Sequence, residues 1–163
     1  IERMIEEKKH VVLFAPKGAK EGVWDPILKS KLPNLFGTDF SNLAVFSHTD
    51  LNRAGEFPDR FQATATLHAS RPISDQPDSP HLLIDKMRGG LYCGWAELDH
   101  LSPPDMVQML ESALKTSAID YRANMHSNVE HGYALPDRDI FAEKESDTDW
   151  QQIFDLYRQY LQR

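Results

Sequence analysis

Gly90-Leu91-Tyr92-Cys93-Gly94-Trp95-Ala96-Glu97-Leu98-Asp99 is the stretch on which the fold turns. Its first half is apolar without alternation, which is how a strand reads when both of its faces are buried. It breaks into a polar loop, His100-Leu101-Ser102-Pro103-Pro104, that presents Asp99 at the strand end. Downstream, Ile119, Tyr121, Ala123 and Met125 alternate with Asp120, Arg122, Asn124 and His126, a second strand by its period of two. That run breaks into Ser127-Asn128-Val129-Glu130-His131-Gly132-Tyr133. A carboxylate after one strand and a histidine after the next are placed as the orienting acid and the base of a catalytic triad.

Working outward, the pattern alternates strands with amphipathic helices. Ser102 as N-cap with Pro103 at the first helical position predicts a helix carrying Met106, Val107, Leu110, Ala113 and Leu114 on one face. Ser79-Pro80 predicts a shorter helix through Met87, and a last helix starting near Asp147 or Thr148 has the stripe Trp150, Ile153, Phe154, Tyr157 and Leu161. Gln62 to His68 reads as a strand, Ser70 to Pro80 as a loop over the C-terminal side of the sheet, and Leu51, Ala54 and Phe57 as a helix ending at Pro58. Nearer the start, Val11 to Ala15 and Leu43 to Phe46 are short strands, and residues 1–9 form a charged helix. A short helix is expected at Ile27 to Lys31. The expected fold class is α/β, a mostly parallel sheet flanked by helices, in a single domain of 163 residues.

Composition narrows the function. A net charge of −7 gives no basic excess with which to neutralise phosphates, so the expected partner is a small molecule and neither nucleic acid nor membrane. One cysteine excludes an internal disulfide framework. No apolar run approaches the length of a membrane span or a signal-peptide core, and the expected compartment is the cytoplasm. The first residue is Ile1 and not Met, so a preceding segment would be invisible.

Four short motifs then carry a resemblance. Phe57-Pro58-Asp59-Arg60-Phe61, Asp78-Ser79-Pro80-His81, Gly94-Trp95-Ala96-Glu97-Leu98-Asp99 and Glu130-His131-Gly132-Tyr133-Ala134-Leu135-Pro136 occur in the order and spacing of the C-terminal half of the dienelactone hydrolase family. The chain from Ala54 onward resembles that family, a branch of the α/β-hydrolases, while residues 1–42 match nothing in it. The resemblance implies an incomplete α/β-hydrolase fold and hydrolysis of a carboxylic ester or lactone through an acyl-enzyme. No cofactor is implied. His131 would shuttle the proton and Asp99 would hold His131, with Glu97 as the competing acid. Family members that bind an enol-lactone carboxylate place an arginine just after the His-Gly-aromatic motif; here Leu135 and Pro136 precede Arg138, which leaves the substrate open.

The nucleophile departs from the pattern. The family has Gly-x-Cys-x-Gly or Gly-x-Ser-x-Gly at a sharp strand-to-helix turn, where only small neighbours fit, and this sequence contains neither. The nearest hydroxyl to the expected elbow is Ser47, between Val45 and Thr49, which is also a plausible helix N-cap. Cys93 lies inside a strand and is read as a small buried hydrophobe, not as the nucleophile. His126 and His131, five residues apart, do not have the spacing of a helical zinc pair, and no metal is expected. The alternative to an esterase is a non-catalytic binding domain in which the acid and base are inherited and idle.

Overall fold

The computed structural model describes residues 11–14, 43–46, 51–59 and 61–161. Among the described residues five strands form one sheet: β1 (Val11–Phe14), β2 (Leu43–Phe46), β3 (Ala63–Leu67), β4 (Gly90–Ala96) and β5 (Asp120–His126). The order is β2-β1-β3-β4-β5 and every neighbouring pair is parallel. Thus β1, and not β2, lies beside β3. The helices are α1 (Leu51–Glu56), a 3-10 helix (Pro80–Lys86), α2 (Pro104–Leu114) and α3 (Glu143–Leu161). The expected helices at residues 1–9 and Ile27 to Lys31 lie outside the described residues.

Strand β4 shows why the sheet sits where it does. Tyr92 and Ala96 point into one core with Ala63, Ala65 and Leu67 of β3 and with Trp150, Ile153, Phe154, Leu156 and Tyr157 of α3. Leu91, Cys93 and Trp95 point the other way, against Leu51 and Ala54 of α1, Ile84 of the 3-10 helix and Val107, Leu110 and Leu114 of α2. All seven residues of β4 are buried, which is the physical content of its unbroken apolar sequence. Each fully buried Leu or Trp here contributes on the order of 2 kcal/mol of transfer free energy. By contrast β5 closes the described sheet, and six of its seven residues are half-buried while Met125 is exposed, hence its alternation.

Three local expectations are corrected. The cap of α2 is Pro103, one residue later than Ser102, because the Ser102 hydroxyl is used elsewhere: it donates to the Ala69 carbonyl and accepts the Arg71 N–H. The buried stripe is Val107, Leu110 and Leu114, while Ala113 is exposed and Met106 half-buried. Helix α3 starts at Glu143, four residues before Asp147, with Glu143 and Glu145 in its first turn where the helix dipole favours carboxylates. Ser79 does precede a helix with Pro80 in its first turn, but the helix is 3-10 and the Ser79 hydroxyl does not cap it.

Candidate active site

The register aligns Leu67, Gly94 and Asn124 across three strands, so the segments that leave β3, β4 and β5 emerge on one rim of the sheet. Asp99 and His131 meet there. Asp99 is buried, and its two carboxylate oxygens are divided between two donors: one accepts the Leu101 N–H at 2.8 Å, the other lies 2.7 Å from His131 Nδ1. A carboxylate can only accept, so Nδ1 carries the proton in the neutral ring and Nε2 presents a lone pair. The loop that carries His131 makes two left-handed turns. Asn128, a residue that tolerates them, has φ of 60°, and Gly132 has φ of 98°, where a side chain would be strained. The second turn sends His131 outward and drops Tyr133 into the core, where it is fully buried. Glu97, the competing acid, instead accepts the Asn128 N–H at 2.9 Å and steadies this loop.

His131 forms part of the wall of a cavity of about 430 Å³. Its lining also includes Ser70, Arg71, Ser74 and Ser79 from the loop after β3, and Asn52 of α1. Ser79 is buried; its hydroxyl accepts the Ser74 N–H at 2.9 Å and lies 2.7 Å from His81 Nδ1. Asn52 donates its amide N–H to the Asp78 carbonyl at 2.7 Å, while its side-chain oxygen is buried without a partner among the described residues. Polar side chains thus share the cavity lining with the imidazole.

Behind His131 stands His68, which follows β3 directly. Its N–H extends the ladder to the Gly94 carbonyl at 2.8 Å, and its backbone then turns left-handed at φ of 42°, a conformation costing about 1 to 3 kcal/mol outside glycine. The ring is fully buried, lies 5.0 Å from the His131 ring edge-on, and has neither nitrogen paired among the described residues. Burial, and then the neighbouring His131, push its pKa down to about 3, so it is neutral near neutral pH.

A second aspartate–histidine pair lies under the first and was not anticipated from the sequence. Asp149 of α3 is fully buried; its carboxylate accepts from Tyr92 at 2.6 Å and from Tyr133, and lies 2.7 Å from His126 Nε2. Asn124 donates to the Tyr92 hydroxyl at 3.0 Å. Burial first and the Asp149 charge second hold both tyrosine hydroxyls well above their usual range, which keeps them as donors. Gly94 is required here, since a Cβ on it would overlap the Tyr133 hydroxyl and the Asp149 carboxylate. The available signal was Asp149 itself, a charged residue within the apolar stripe of α3 at Trp150, Ile153 and Tyr157.

Ser47 lies outside the described residues. Cys93 is fully buried in the core beneath α1 and α2, and desolvation pushes its thiol up, away from thiolate chemistry. Among the described residues no group of three metal-ligating side chains comes together.

Comparison with known proteins gives the family and the fold. The family model described as "Dienelactone hydrolase family" matches residues 50–161. The chain belongs to the dienelactone hydrolase family. No curated protein matches it. Among solved structures, a protein assigned as a dienelactone hydrolase from Klebsiella pneumoniae subsp. pneumoniae MGH 78578 superposes with a TM-score of 0.63 at 15% identity, over 83% of this chain and 60% of that one. A puromycin hydrolase gives 0.58 at 12% identity, over 81% of this chain and 24% of that one. The acylaminoacyl peptidase of Pyrococcus horikoshii gives 0.57 at 13% identity, over 90% and 29%. At these identities the likeness is one of fold, and the fold is that of the α/β-hydrolases. The chain spans 60% of the first of these relatives and under a third of the other two, and the family match begins at residue 50, close to where the four sequence motifs begin.

Proposed function

We propose that Asp99 and His131 are the acid and base of a dienelactone-hydrolase-type site that cleaves a carboxylic ester or lactone of a small molecule. The observation that carries this reading is the 2.7 Å contact between Asp99 and His131 Nδ1, with the His131 ring on the wall of the cavity. In the reaction His131 Nε2 removes the proton of an attacking hydroxyl as its oxygen bonds to the substrate carbonyl carbon. Asp99 fixes the tautomer and stabilises the imidazolium that results. The imidazolium then returns its proton to the departing alkoxide, leaving an acyl-enzyme that water hydrolyses with His131 again as base. The family's spacing, counted back from Pro58, falls on Ala44, and Ser47, the nearest hydroxyl to it, is the candidate attacking group. The described cavity needs no cofactor for this chemistry.

A specific observation favours a second reading. The sequence has no Gly-x-Ser-x-Gly or Gly-x-Cys-x-Gly, and a triad without its nucleophile retains only a small residual rate over water. On that reading the chain is a binding domain derived from the family. The two readings separate on p-nitrophenyl acetate, assayed with enzyme in excess. The hydrolase reading expects slow turnover above buffer that vanishes in His131→Ala. It is overturned by a wild-type rate equal to buffer, or by a rate indifferent to His131. Loss in Ser47→Ala as well, with the fold intact, identifies Ser47 as the nucleophile; an unchanged rate there assigns the attack to water or another group.

A further inference from the structure

The feature that the proposed chemistry leaves unused is His68. It combines three observations that a side chain placed for packing alone rarely combines: full burial, two ring nitrogens without partners among the described residues, and a left-handed backbone. Its ring touches two others edge-on, His131 at 5.0 Å and Tyr133 at 5.4 Å. It does not line the cavity.

We infer that His68 is a positioning residue for His131, an uncharged aromatic wedge that holds the His131 imidazole against Asp99. A histidine base has two torsions to lose, and a single hydrogen bond from Nδ1 leaves the ring free to pivot about it. His68 closes the space into which it would pivot, from the rim of β3, and is itself backed edge-on by Tyr133. The geometry also explains the residue type. The wedge must be a ring, and it must leave β3 through a left-handed turn that steers it over the rim of the sheet. Histidine is enriched in that conformation, whereas larger aromatic residues are not. The wedge must also stay uncharged, because a second imidazolium against His131 would oppose the proton that His131 has to accept. Burial secures this, and the nearest carboxylate, Asp99, is committed to His131 and to the Leu101 N–H.

This inference rests on reading His131 as the base, and its test keeps the two apart. The observable is the proton on His131 Nδ1, which a carboxylate partner shifts far downfield in the proton NMR spectrum and shields from exchange with water. Wild type should show it, with nuclear Overhauser contacts between the His131 and His68 rings, and Asp99→Asn should remove it. A wild type without that proton sinks the base reading, and this inference with it. The decisive variant is His68→Asn, which tolerates the left-handed turn and stays neutral but has no ring. The downfield proton should be lost to exchange, and kcat should fall about tenfold or more with KM within about twofold, since the substrate does not touch residue 68. His68→Phe, which keeps a ring at the cost of backbone strain, should recover both the proton and most of kcat. Retention of the proton and of kcat in folded His68→Asn overturns the inference. So does a folded His68→Phe that behaves like His68→Asn, or a loss carried by KM, which would place residue 68 against substrate.

Discussion

Two aspartate–histidine pairs of the same length occupy this molecule, and their surroundings assign them different work. In Asp99–His131 and in Asp149–His126 the oxygen–nitrogen distance is 2.7 Å. Asp149 is sealed in the core and accepts two tyrosine hydroxyls besides its histidine, so the α3 side chain ties β4, β5 and the Gly132 turn together. Asp99 takes one backbone N–H and its histidine, and that histidine borders the cavity. A carboxylate saturated by fixed donors braces a fold; one whose histidine faces open space can move a proton. The lesson is that the contact distance of such a pair says little, and that the other partners of its two residues decide what it does.

The largest effect that could break this contrast is on stability. Asp149→Ala strands two tyrosine hydroxyls in the core, leaves His126 without its partner, and should cost about 3 to 5 kcal/mol in chemical denaturation, the usual penalty for removing one partner of a buried charged network. A loss below about 1 kcal/mol would mean that the network is not the brace described. Next in size is a dependence on pH. Unfolded, His68 takes up a proton near pH 6.5, whereas the folded chain refuses it until about pH 3, so more protons are bound in the unfolded state throughout that window. His68 therefore leaves stability untouched above pH 6.5 and lowers it, by up to a few kcal/mol, as pH falls from there towards 3. Denaturation midpoints of wild type and His68→Asn should converge as pH falls through this range; parallel curves would show that His68 titrates freely in the fold. Smaller still is Tyr92→Phe. It removes one donor from Asp149 and should cost about 2 kcal/mol in denaturation while leaving the rim and the His131 Nδ1 proton unchanged.

How much of this was legible depended on whether one segment carried the signal. The strand at Gly90–Ala96 declared itself because both of its faces are covered, and the edge strand Asp120–His126 declared itself by alternation. Asp99 and His131 could be read because each ends such a strand inside a short motif. The Asp149 network could not be assembled in the same way. Its members lie on β4, β5, the Gly132 turn and α3, and only the packing of α3 onto the sheet brings them together. The start of α3 was misplaced because residues 143–146 precede its apolar stripe, and Ser102 was misread as a cap because its partner, Ala69, is 33 residues away. His68 looked like one more alternating strand position, and its left-handed turn leaves no mark in the sequence.

The division of labour between the two pairs is tested most directly by making the same change in each, Asp99→Asn and Asp149→Asn, and measuring p-nitrophenyl acetate hydrolysis with enzyme in excess beside the denaturation midpoint. Asp99→Asn should lose about a hundredfold of the enzyme-dependent rate, the scale of a general-base contribution, with its midpoint nearly unchanged. Asp149→Asn should show the reverse, a large drop in midpoint with the rate retained wherever the protein is still folded. If the two variants lose rate and stability in the same proportion, or if Asp149→Asn is the one that loses the rate, the assignment of catalysis to one pair and bracing to the other is wrong.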